Sequence, residues 1–123
     1  MSDDTRVADI MSTPIETISR DASASDAAER MRAEDISALL VTTSTPSIVT
    51  STDILDAVAA GRDTSELSVQ ELMTESVETV PPTIRVGEAA AMMTTFGIKH
   101  LPVVEDGDYV GIISSTDITA QLS

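Results

Sequence analysis

The chain has 123 residues, which is enough for one compact domain and too few for two ordinary ones. Its hydrophobic fraction of 41% predicts a soluble globular protein, and the absence of cysteine excludes disulfide scaffolds, thiolate metal sites and cysteine nucleophiles. Acidic residues outnumber basic ones by 21 to 7, and the resulting net charge of -14 makes nucleic acids and anionic membranes poor partners.

Charge and hydropathy also predict the setting in which the protein works. No basic segment leads into an apolar run at the N-terminus, and no apolar stretch is long enough to span a membrane, so we expect a cytoplasmic protein. A chain this acidic repels itself at low salt, and high salt screens that repulsion. The composition therefore favours a halophilic source, with an ordinary acidic protein as the alternative.

The first half of the chain predicts the order strand, helix, strand, strand, helix. After a short extended opening, we expect a helix near residues 25–33 and apolar strands near residues 38–42 and 47–50. A second helix is expected near residues 53–60, with Gly61 as its stop signal. The polar stretch that follows, to residue 68, is the expected connector between the two halves.

The second half predicts the same order again. Residues 79–83 are a short extended piece ended by prolines, and residues 87–96 are an alanine- and methionine-rich helix stopped by Gly97. Two apolar strands are expected at residues 101–104 and 109–113, joined by a hairpin turn of sequence EDGD. A final helix begins after the capping sequence SSTD and runs to residue 121.

The two halves are copies of each other. The sequence VADIMS at residues 7–12 corresponds to VQELMT at residues 69–74, and TSTDI at residues 50–54 corresponds to SSTDI at residues 114–118. One copy alone would leave an apolar sheet face exposed, so the copies should pack on each other. The predicted fold class is therefore α/β, one domain of two β-α-β-β-α repeats, residues 1–62 and 63–123, with pseudo-two-fold symmetry, sheets inside and helices outside.

The repeated motifs resemble those of the cystathionine-β-synthase (CBS) domain family in its usual tandem pair. The resemblance rests on the openings MS and MT at residues 11 and 73, on GIKHLPVV at residues 97–104, and on GIISSTD at residues 111–117 with its weaker partner IVTSTD. It covers nearly the whole chain and implies a regulatory module that binds adenosine-type ligands in clefts between the repeats. The chain is similar to the modules of inosine-monophosphate dehydrogenase and of the γ subunit of AMP-activated kinase, here as a free-standing pair.

The resemblance assigns the stronger ligand site to the second copy. The aspartate of the family motif, here Asp117, accepts hydrogen bonds from the ribose hydroxyls, and a basic pair, here Lys99 and His100, reaches phosphate. A carboxylate suits a diol because it offers paired acceptors, and the start of a helix favours an anion. The expected site comprises Lys99, His100, Pro102, Ser114, Thr116 and Asp117, with Thr13, Pro14 and Ile15 lining the purine pocket.

The first copy departs from the family pattern at its phosphate end. Ser37 and Ala38 stand where the second copy has its basic pair, and Ser47 replaces Gly111. This weaker site is expected to bind an uncharged nucleoside end or nothing. Its residues are Thr50, Thr52, Asp53, Glu75, Ser76 and Val77.

These residues leave more than one function open. A Ser/Thr-Asp pair before a helix is also an ordinary N-cap, so capping alone is the alternative for both aspartates. One histidine, no cysteine and no metal-ligand cluster leave little for an active site, so we expect no enzyme and no metal. The leading hypothesis is a sensor of AMP, ADP or ATP that needs no cofactor, with S-adenosylmethionine or NAD as rarer family ligands, and that forms a homodimer. The alternative is a structural or adaptor homodimer that acts through a protein partner.

Overall fold

The computed structural model describes residues 4–122 and confirms a mixed α/β fold with a repeated order of elements. Residues 1–3 and 123, at the ends of the two predicted repeats, lie outside the described residues. The elements in chain order are α1 (Val7–Ile10), β1 (Thr17–Ser19), α2 (Ala24–Glu34), β2 (Ala38–Thr42), β3 (Ser47–Thr50), α3 (Ser51–Ala59), α4 (Val69–Leu72), α5 (Val86–Phe96), β4 (His100–Glu105), β5 (Asp108–Ser114) and α6 (Ser115–Leu122).

The chain divides into two compact units that differ from the two sequence repeats. Unit 1 joins the residues up to Ile15 to those from Glu78 onward, and unit 2 is the continuous segment Glu16–Val77. Each unit therefore combines the body of one repeat with the opening segment of the other. The boundary at residue 62 separates the two copies in the sequence. The contacts within the folded chain instead group the residues into the two units.

Unit 2 is built on a three-stranded sheet in the order β1-β2-β3. Strand β1 runs parallel to β2 with Ile18 beside Val41, and β2 runs antiparallel to β3 with Leu39 opposite Val49. Side chains alternate across a strand, so these four apolar residues share one face of the sheet. Helix residues complete the core on that face, which comprises Ile18, Ala27, Met31, Leu39, Val41, Val49, Ile54 and Val69.

Unit 1 is built on the antiparallel hairpin β4-β5. Asp106 and Gly107 at its tip have φ angles of 53° and 84°, and positive values at both central residues favour the turn type whose twist matches the strands. Leu101 lies opposite Ile113, and both are fully buried. The core of this unit comprises Val7, Val80, Val86, Ala89, Met93, Leu101, Val103, Ile113 and Ile118.

The structure differs from the sequence prediction in two places. The opening segments contain single helical turns, α1 and α4, that the sequence pattern did not predict, and each buries one valine, Val7 or Val69. The strand expected at residues 79–83 is reduced to Val80, which forms an isolated parallel bridge with Val103. Pro81 follows directly and has no N–H group, so the ladder ends there.

Candidate functional site

In unit 1, Asp117 lies in the first turn of α6 and closes a capping box with Ser114. The Ser114 N–H donates to Asp117 Oδ2 at 2.8 Å, and the Asp117 N–H donates to Ser114 Oγ at 3.1 Å. Asp117 Oδ1 accepts no hydrogen bond from residues 4–122, and the side chain is half-buried. The cap therefore orients the carboxylate and leaves one of its oxygens for a ligand.

The basic pair lies at the same end of the hairpin as this cap. His100 is opposite Ser114 in the β4-β5 register, and the Ser115 N–H donates to the Lys99 carbonyl at 2.9 Å. Lys99 is exposed and forms no ion pair with any residue that the structure describes, whereas His100 is half-buried. Directly opposite residues share one face of a sheet, so the imidazole of His100 and the hydroxyl of Ser114 lie side by side.

The opening segment brings residues 13–15 into the same unit as Asp117. Ser12 pairs with Ile112 of β5: the Ser12 N–H donates to the Ile112 carbonyl at 2.8 Å, and the Ile112 N–H donates back at 3.3 Å. Thr13 and Pro14 are exposed and Ile15 is half-buried. The segment that was expected to line the purine pocket is therefore anchored beside the strand that leads to the cap.

Two other predicted residues of the stronger site differ in accessibility. Pro102 lies opposite Ile112 in the hairpin and exposes less than 2% of its surface, so a ligand reaches it only if neighbouring side chains move. Thr116, in the first turn of α6, is exposed, and its hydroxyl makes no hydrogen bond within residues 4–122. Of the two, only Thr116 presents a polar group to a ligand.

Unit 2 contains the same capped carboxylate with one additional hydrogen bond. Both the N–H and the hydroxyl of Thr50 donate to Asp53 Oδ2, at 2.8 and 3.1 Å, and the Asp53 N–H donates to Thr50 Oγ1 at 3.4 Å. Asp53 Oδ1 accepts no hydrogen bond from the described part of the chain. The hydroxyl of Thr50 thus donates to the Asp53 carboxylate that it caps with, whereas the hydroxyl of Ser114 donates to no described group.

The surroundings of Asp53 carry no positive charge at the matching positions. Ala38 lies opposite Thr50, and the Ser51 N–H donates to the Ser37 carbonyl at 2.9 Å. These contacts reproduce those of His100 and Lys99 in unit 1. An alanine and a serine therefore occupy the positions that correspond to the basic pair of unit 1.

The second opening segment approaches unit 2 in a related way. Thr74 pairs with Ile48 through hydrogen bonds of 2.9 and 3.1 Å, and the Val77 N–H donates to the Pro46 carbonyl at 3.0 Å. Ser76 adopts the left-handed conformation, with a φ angle of 52°. The exposed residues of the predicted weaker site are Thr52, Glu75 and Ser76, while Val77 is half-buried.

Two carboxyl groups with lowered pKa values lie outside both sites. The hydroxyl and then the N–H of Ser65 lower the pKa of Asp63. The N–H and then the hydroxyl of Ser68 lower the pKa of Glu71, and the charge of Arg62 contributes less. Both carboxylates belong to the polar connector and α4, so they stabilise that segment rather than a ligand.

Other features of the described residues do not coincide with the candidate site. An open pocket of about 670 Å³ lies in unit 1, lined among others by Arg6, Asp9, Pro82 and Glu105, none of which belongs to the predicted site. Residues 4–122 contain no cluster of three or more His, Asp or Glu that could hold a metal, and no helix among them is long and apolar enough to cross a membrane. We place the candidate site at the capped carboxylates, because the polar groups converge there.

Sequence reasoning noted Gly111 only through its replacement by Ser47 in the first copy and did not identify its contact with Met11. A side chain at this position would collide with Met11, which immediately precedes the Ser12 pairing. The available signal was a glycine inside an apolar strand, which often marks the close approach of another segment.

The repeated order of α and β elements is that of a tandem pair of small α/β domains. The chain belongs to the CBS domain family, whose model matches residues 7–60 and 69–123. The resemblance that the sequence suggested is thereby confirmed, and the matched segments are the two predicted copies.

Solved structures and relatives are similar over most of the chain. The CBS domain pair of protein MJ0100, solved in complex with 5′-methylthioadenosine and S-adenosyl-L-methionine, is 31% identical with a TM-score of 0.87, covering 96% of this chain and 95% of that one. A hexameric CBS-CP12 protein from bloom-forming cyanobacteria is 29% identical with a TM-score of 0.91, covering 94% and 71%. Inosine-5′-monophosphate dehydrogenase of Nitrosopumilus maritimus is 35% identical over 84% of this chain and 21% of its own length.

Several relatives are longer than this chain. It spans 21%, 37% and 61% of the lengths of three uncharacterised proteins from Methanocaldococcus jannaschii and Methanopyrus kandleri. In the third of these the match covers 89% of this chain, so both repeats there form one part of a longer protein.

Proposed function

We propose that the protein is a non-catalytic regulatory module that senses an adenosine nucleotide, AMP, ADP or ATP, with Asp117 as the centre of its stronger site. The ligand is the regulatory signal, and no further cofactor is needed. The observation that carries this proposal is the Asp117 carboxylate, which a capping box orients and which keeps Oδ1 available.

The ribose end of the proposed complex depends on that carboxylate. A half-buried carboxylate with one unshared oxygen accepts hydrogen bonds from the two hydroxyls of a ribose, and charged acceptors form the stronger class of hydrogen bond. The Ser114 hydroxyl has no acceptor among the described residues and is available to donate to the same ligand. The site therefore offers both an acceptor and a donor to a sugar phosphate.

The phosphate end depends on local positive charge. The net charge of the chain is -14, so a phosphate binds only where basic groups and helix dipoles offset that field. Lys99 and His100 adjoin the beginning of the eight-residue helix α6. This arrangement supports a phosphorylated ligand in unit 1 in preference to unit 2.

The weaker site suits a ligand without phosphate. In unit 2 the carboxylate of Asp53 has a free oxygen, while Ser37 and Ala38 supply no charge. The ligands of the MJ0100 domain pair, 5′-methylthioadenosine and S-adenosyl-L-methionine, contain no phosphate. We accordingly propose that this site binds an uncharged nucleoside end or remains empty at physiological ligand concentrations.

A ligand screen in concentrated KCl tests the proposal. Thermal unfolding is measured with AMP, ATP, adenosine, S-adenosylmethionine and NAD, with guanosine monophosphate as the control for the base. A ligand at one hundred times its Kd adds about 2.7 kcal/mol to the free energy of unfolding. Stabilisation by AMP or ATP and none by guanosine monophosphate supports the proposal, and stabilisation by none of the adenosine ligands contradicts it.

A second candidate is a structural or adaptor homodimer that acts through a protein partner without binding a nucleotide. Leu55 and Val58 lie one turn apart on α3 and expose 71% and 57% of their surfaces, which is unusual for large apolar side chains. The similar CBS-CP12 protein is hexameric. These observations support self-association, for which a homodimer is the simplest case. Light scattering of wild type and Leu55→Glu tests it, and a wild type that is only the 12.9 kDa species would contradict a homodimer.

The acidic surface leads to a proposal about the working environment. We infer a cytoplasm with high salt, in which the charge of the surface is screened. Circular dichroism should then show structure that is complete in concentrated KCl and lost on dilution. Undiminished structure in dilute buffer would contradict the inference.

A further inference from the structure

Strand β5 and the opening segment approach each other unusually closely at Gly111. A Cβ atom added at this glycine would lie 2.6 Å from Met11 Sδ, 3.0 Å from Met11 Cγ and 3.3 Å from the Ser12 carbonyl oxygen. The first two distances are shorter than ordinary van der Waals contact, so any side chain would displace Met11. The lack of a side chain at Gly111 is therefore what allows Met11 to lie against this strand.

The contact bears directly on the placement of the next residues. The Ser12 carbonyl oxygen also lies close to the added Cβ, and it accepts a hydrogen bond from the Ile112 N–H at 3.3 Å. Thr13 is the next residue in the chain. A Cβ at Gly111 would press on both the Met11 side chain and this carbonyl. The position of residues 13–15 thus depends on a glycine that is buried and touches no ligand itself.

Unit 2 shows the alternative arrangement. Ser47 occupies the position of Gly111, is fully buried, and directs its hydroxyl into the preceding loop, 2.9 Å from Thr43 Oγ1 and 3.0 Å from the Thr45 carbonyl. The second opening segment is held there by an additional backbone bond, from the Val77 N–H to the Pro46 carbonyl. The two units therefore place their opening segments by different contacts.

We propose that Gly111 is a positioning residue that sets the purine affinity of the Asp117 site, because its lack of a side chain lets Met11 and Ser12 lie against β5 and so fixes residues 13–15. The inference rests on the proposed function, since it concerns the same site. It predicts that a small side chain at Gly111 weakens recognition of the base and leaves the ribose and phosphate contacts of Asp117 and Lys99 intact.

The test compares AMP with ribose 5-phosphate, which lacks the base. Affinities of both are measured for wild type, Gly111→Ala, Met11→Ala with Gly111→Ala, and the matched control Ser47→Gly in unit 2. Gly111→Ala should lower AMP affinity about tenfold, equivalent to 1.4 kcal/mol, and change ribose 5-phosphate affinity less than about twofold. Truncation of Met11 in the double variant should restore most of the AMP affinity, since it removes the collision.

Hydrogen exchange provides a measurement that does not depend on a ligand. In Gly111→Ala the amide protons of Ser12 and Ile112 should exchange faster, while the Ser115 amide, which donates to the Lys99 carbonyl, and the Ser114 amide, which donates to Asp117 Oδ2, remain protected. Ser47→Gly should change neither the exchange at Ser12 nor AMP binding. Equal losses of AMP and ribose 5-phosphate affinity in Gly111→Ala would overturn the positioning role.

The outcomes separate this inference from the proposed function. Wild type that binds neither AMP nor any other adenosine ligand contradicts the proposed function, and the inference with it. Wild type that binds AMP, together with a Gly111→Ala variant that binds it equally well, contradicts the inference alone.

Discussion

The two units carry the same capped carboxylate in different surroundings. In unit 1 Asp117 adjoins a lysine and a histidine, while in unit 2 Asp53 adjoins a serine and an alanine at the corresponding positions. The aspartate completes a capping box in both units, so its presence does not distinguish a ligand site from a structural feature. The residues that differ between the units are therefore more informative about binding than those that are the same.

Removal of the carboxylates gives the largest expected difference between the units. Asp117→Ala should weaken AMP binding by tenfold to more than a hundredfold, because a hydrogen bond to a charged group contributes roughly 1.5–3 kcal/mol. Asp53→Ala removes the same kind of cap from unit 2 and should leave the stronger binding unchanged. Calorimetry with AMP measures both variants, and loss of the stronger site in Asp53→Ala alone would reverse the assignment.

Substitution of the residues at the proposed phosphate ends should change the relative affinities of the two units for a phosphorylated ligand. Lys99→Ala should reduce ATP affinity about tenfold and adenosine affinity little, because the lysine charge interacts only with phosphate. Ser37→Lys places the same charge in unit 2 at an exposed position and should create measurable AMP binding there. Titrations at two KCl concentrations check both, since the contribution of an exposed charge falls with salt. An unchanged ATP-to-adenosine ratio in Lys99→Ala would argue against a phosphate contact.

The caps themselves should differ in their contribution to stability. Thr50→Ala removes a hydroxyl that both donates to and accepts from Asp53, and it should lower the free energy of unfolding by about 1–2 kcal/mol. Ser114→Ala removes a hydroxyl that only accepts, and about 1 kcal/mol is expected. Urea unfolding in constant KCl compares them. A larger loss for Ser114→Ala would show that its hydroxyl has a further partner.

The helices α2 and α5 end differently and provide a smaller test. Asp35 ends α2 with a φ angle of 54°, and Gly97 ends α5 with a φ angle of 66°. Glycine adopts this conformation without steric cost, so Asp35→Gly should stabilise the protein by about 0.5–1 kcal/mol and Gly97→Ala should destabilise it by about 1 kcal/mol. The midpoint temperature of thermal unfolding should therefore rise in Asp35→Gly and fall in Gly97→Ala, and shifts in the same direction would contradict this.

Acid sensitivity should be the smallest effect, and the two carboxyl groups with lowered pKa values both lie in unit 2. The pKa values of Asp63 and Glu71 are lowered from 3.8 and 4.5 by hydrogen bonds in the folded chain. A carboxyl group whose pKa is lower in the folded than in the unfolded chain stabilises the folded protein at pH values above its ordinary pKa. This stabilisation is lost as the pH falls through the pKa of the group in the folded chain. The double variant Asp63→Asn with Glu71→Gln should therefore lose less stability between neutral pH and pH 3 than wild type does. Equal losses would mean that other carboxylates dominate.

Most of the fold could be predicted from local sequence patterns. The glycine stops, the proline positions and the EDGD turn define α5, β4 and β5 to within one residue at each end. The single turns α1 and α4 were missed because four residues are too few for a periodic pattern, although Ser68 and Glu71 of α4 form a capping-box sequence that was available. Tertiary contacts at Val7 and Val69, rather than propensity, hold these turns.

The candidate site could be predicted in part. The capping sequence and the duplication locate both aspartates, and the resemblance groups each with an opening segment that the structure places in the same unit. The burial of Pro102 and the contact between Met11 and Gly111 could not be predicted, because they depend on how distant segments pack. Whether the grouped residues bind a ligand stays a prediction.

The exchanged opening segments have a consequence for the origin of the chain. The core of each repeat contains a valine from the opening turn of the other repeat, Val7 in unit 1 and Val69 in unit 2, so a single copy in this arrangement would lack that valine. Two identical molecules could each complete the other by trading these segments, which is the arrangement of a domain-swapped dimer. In the duplicated chain the same exchange takes place within one molecule, because each repeat supplies the opening turn that packs in the other repeat's core.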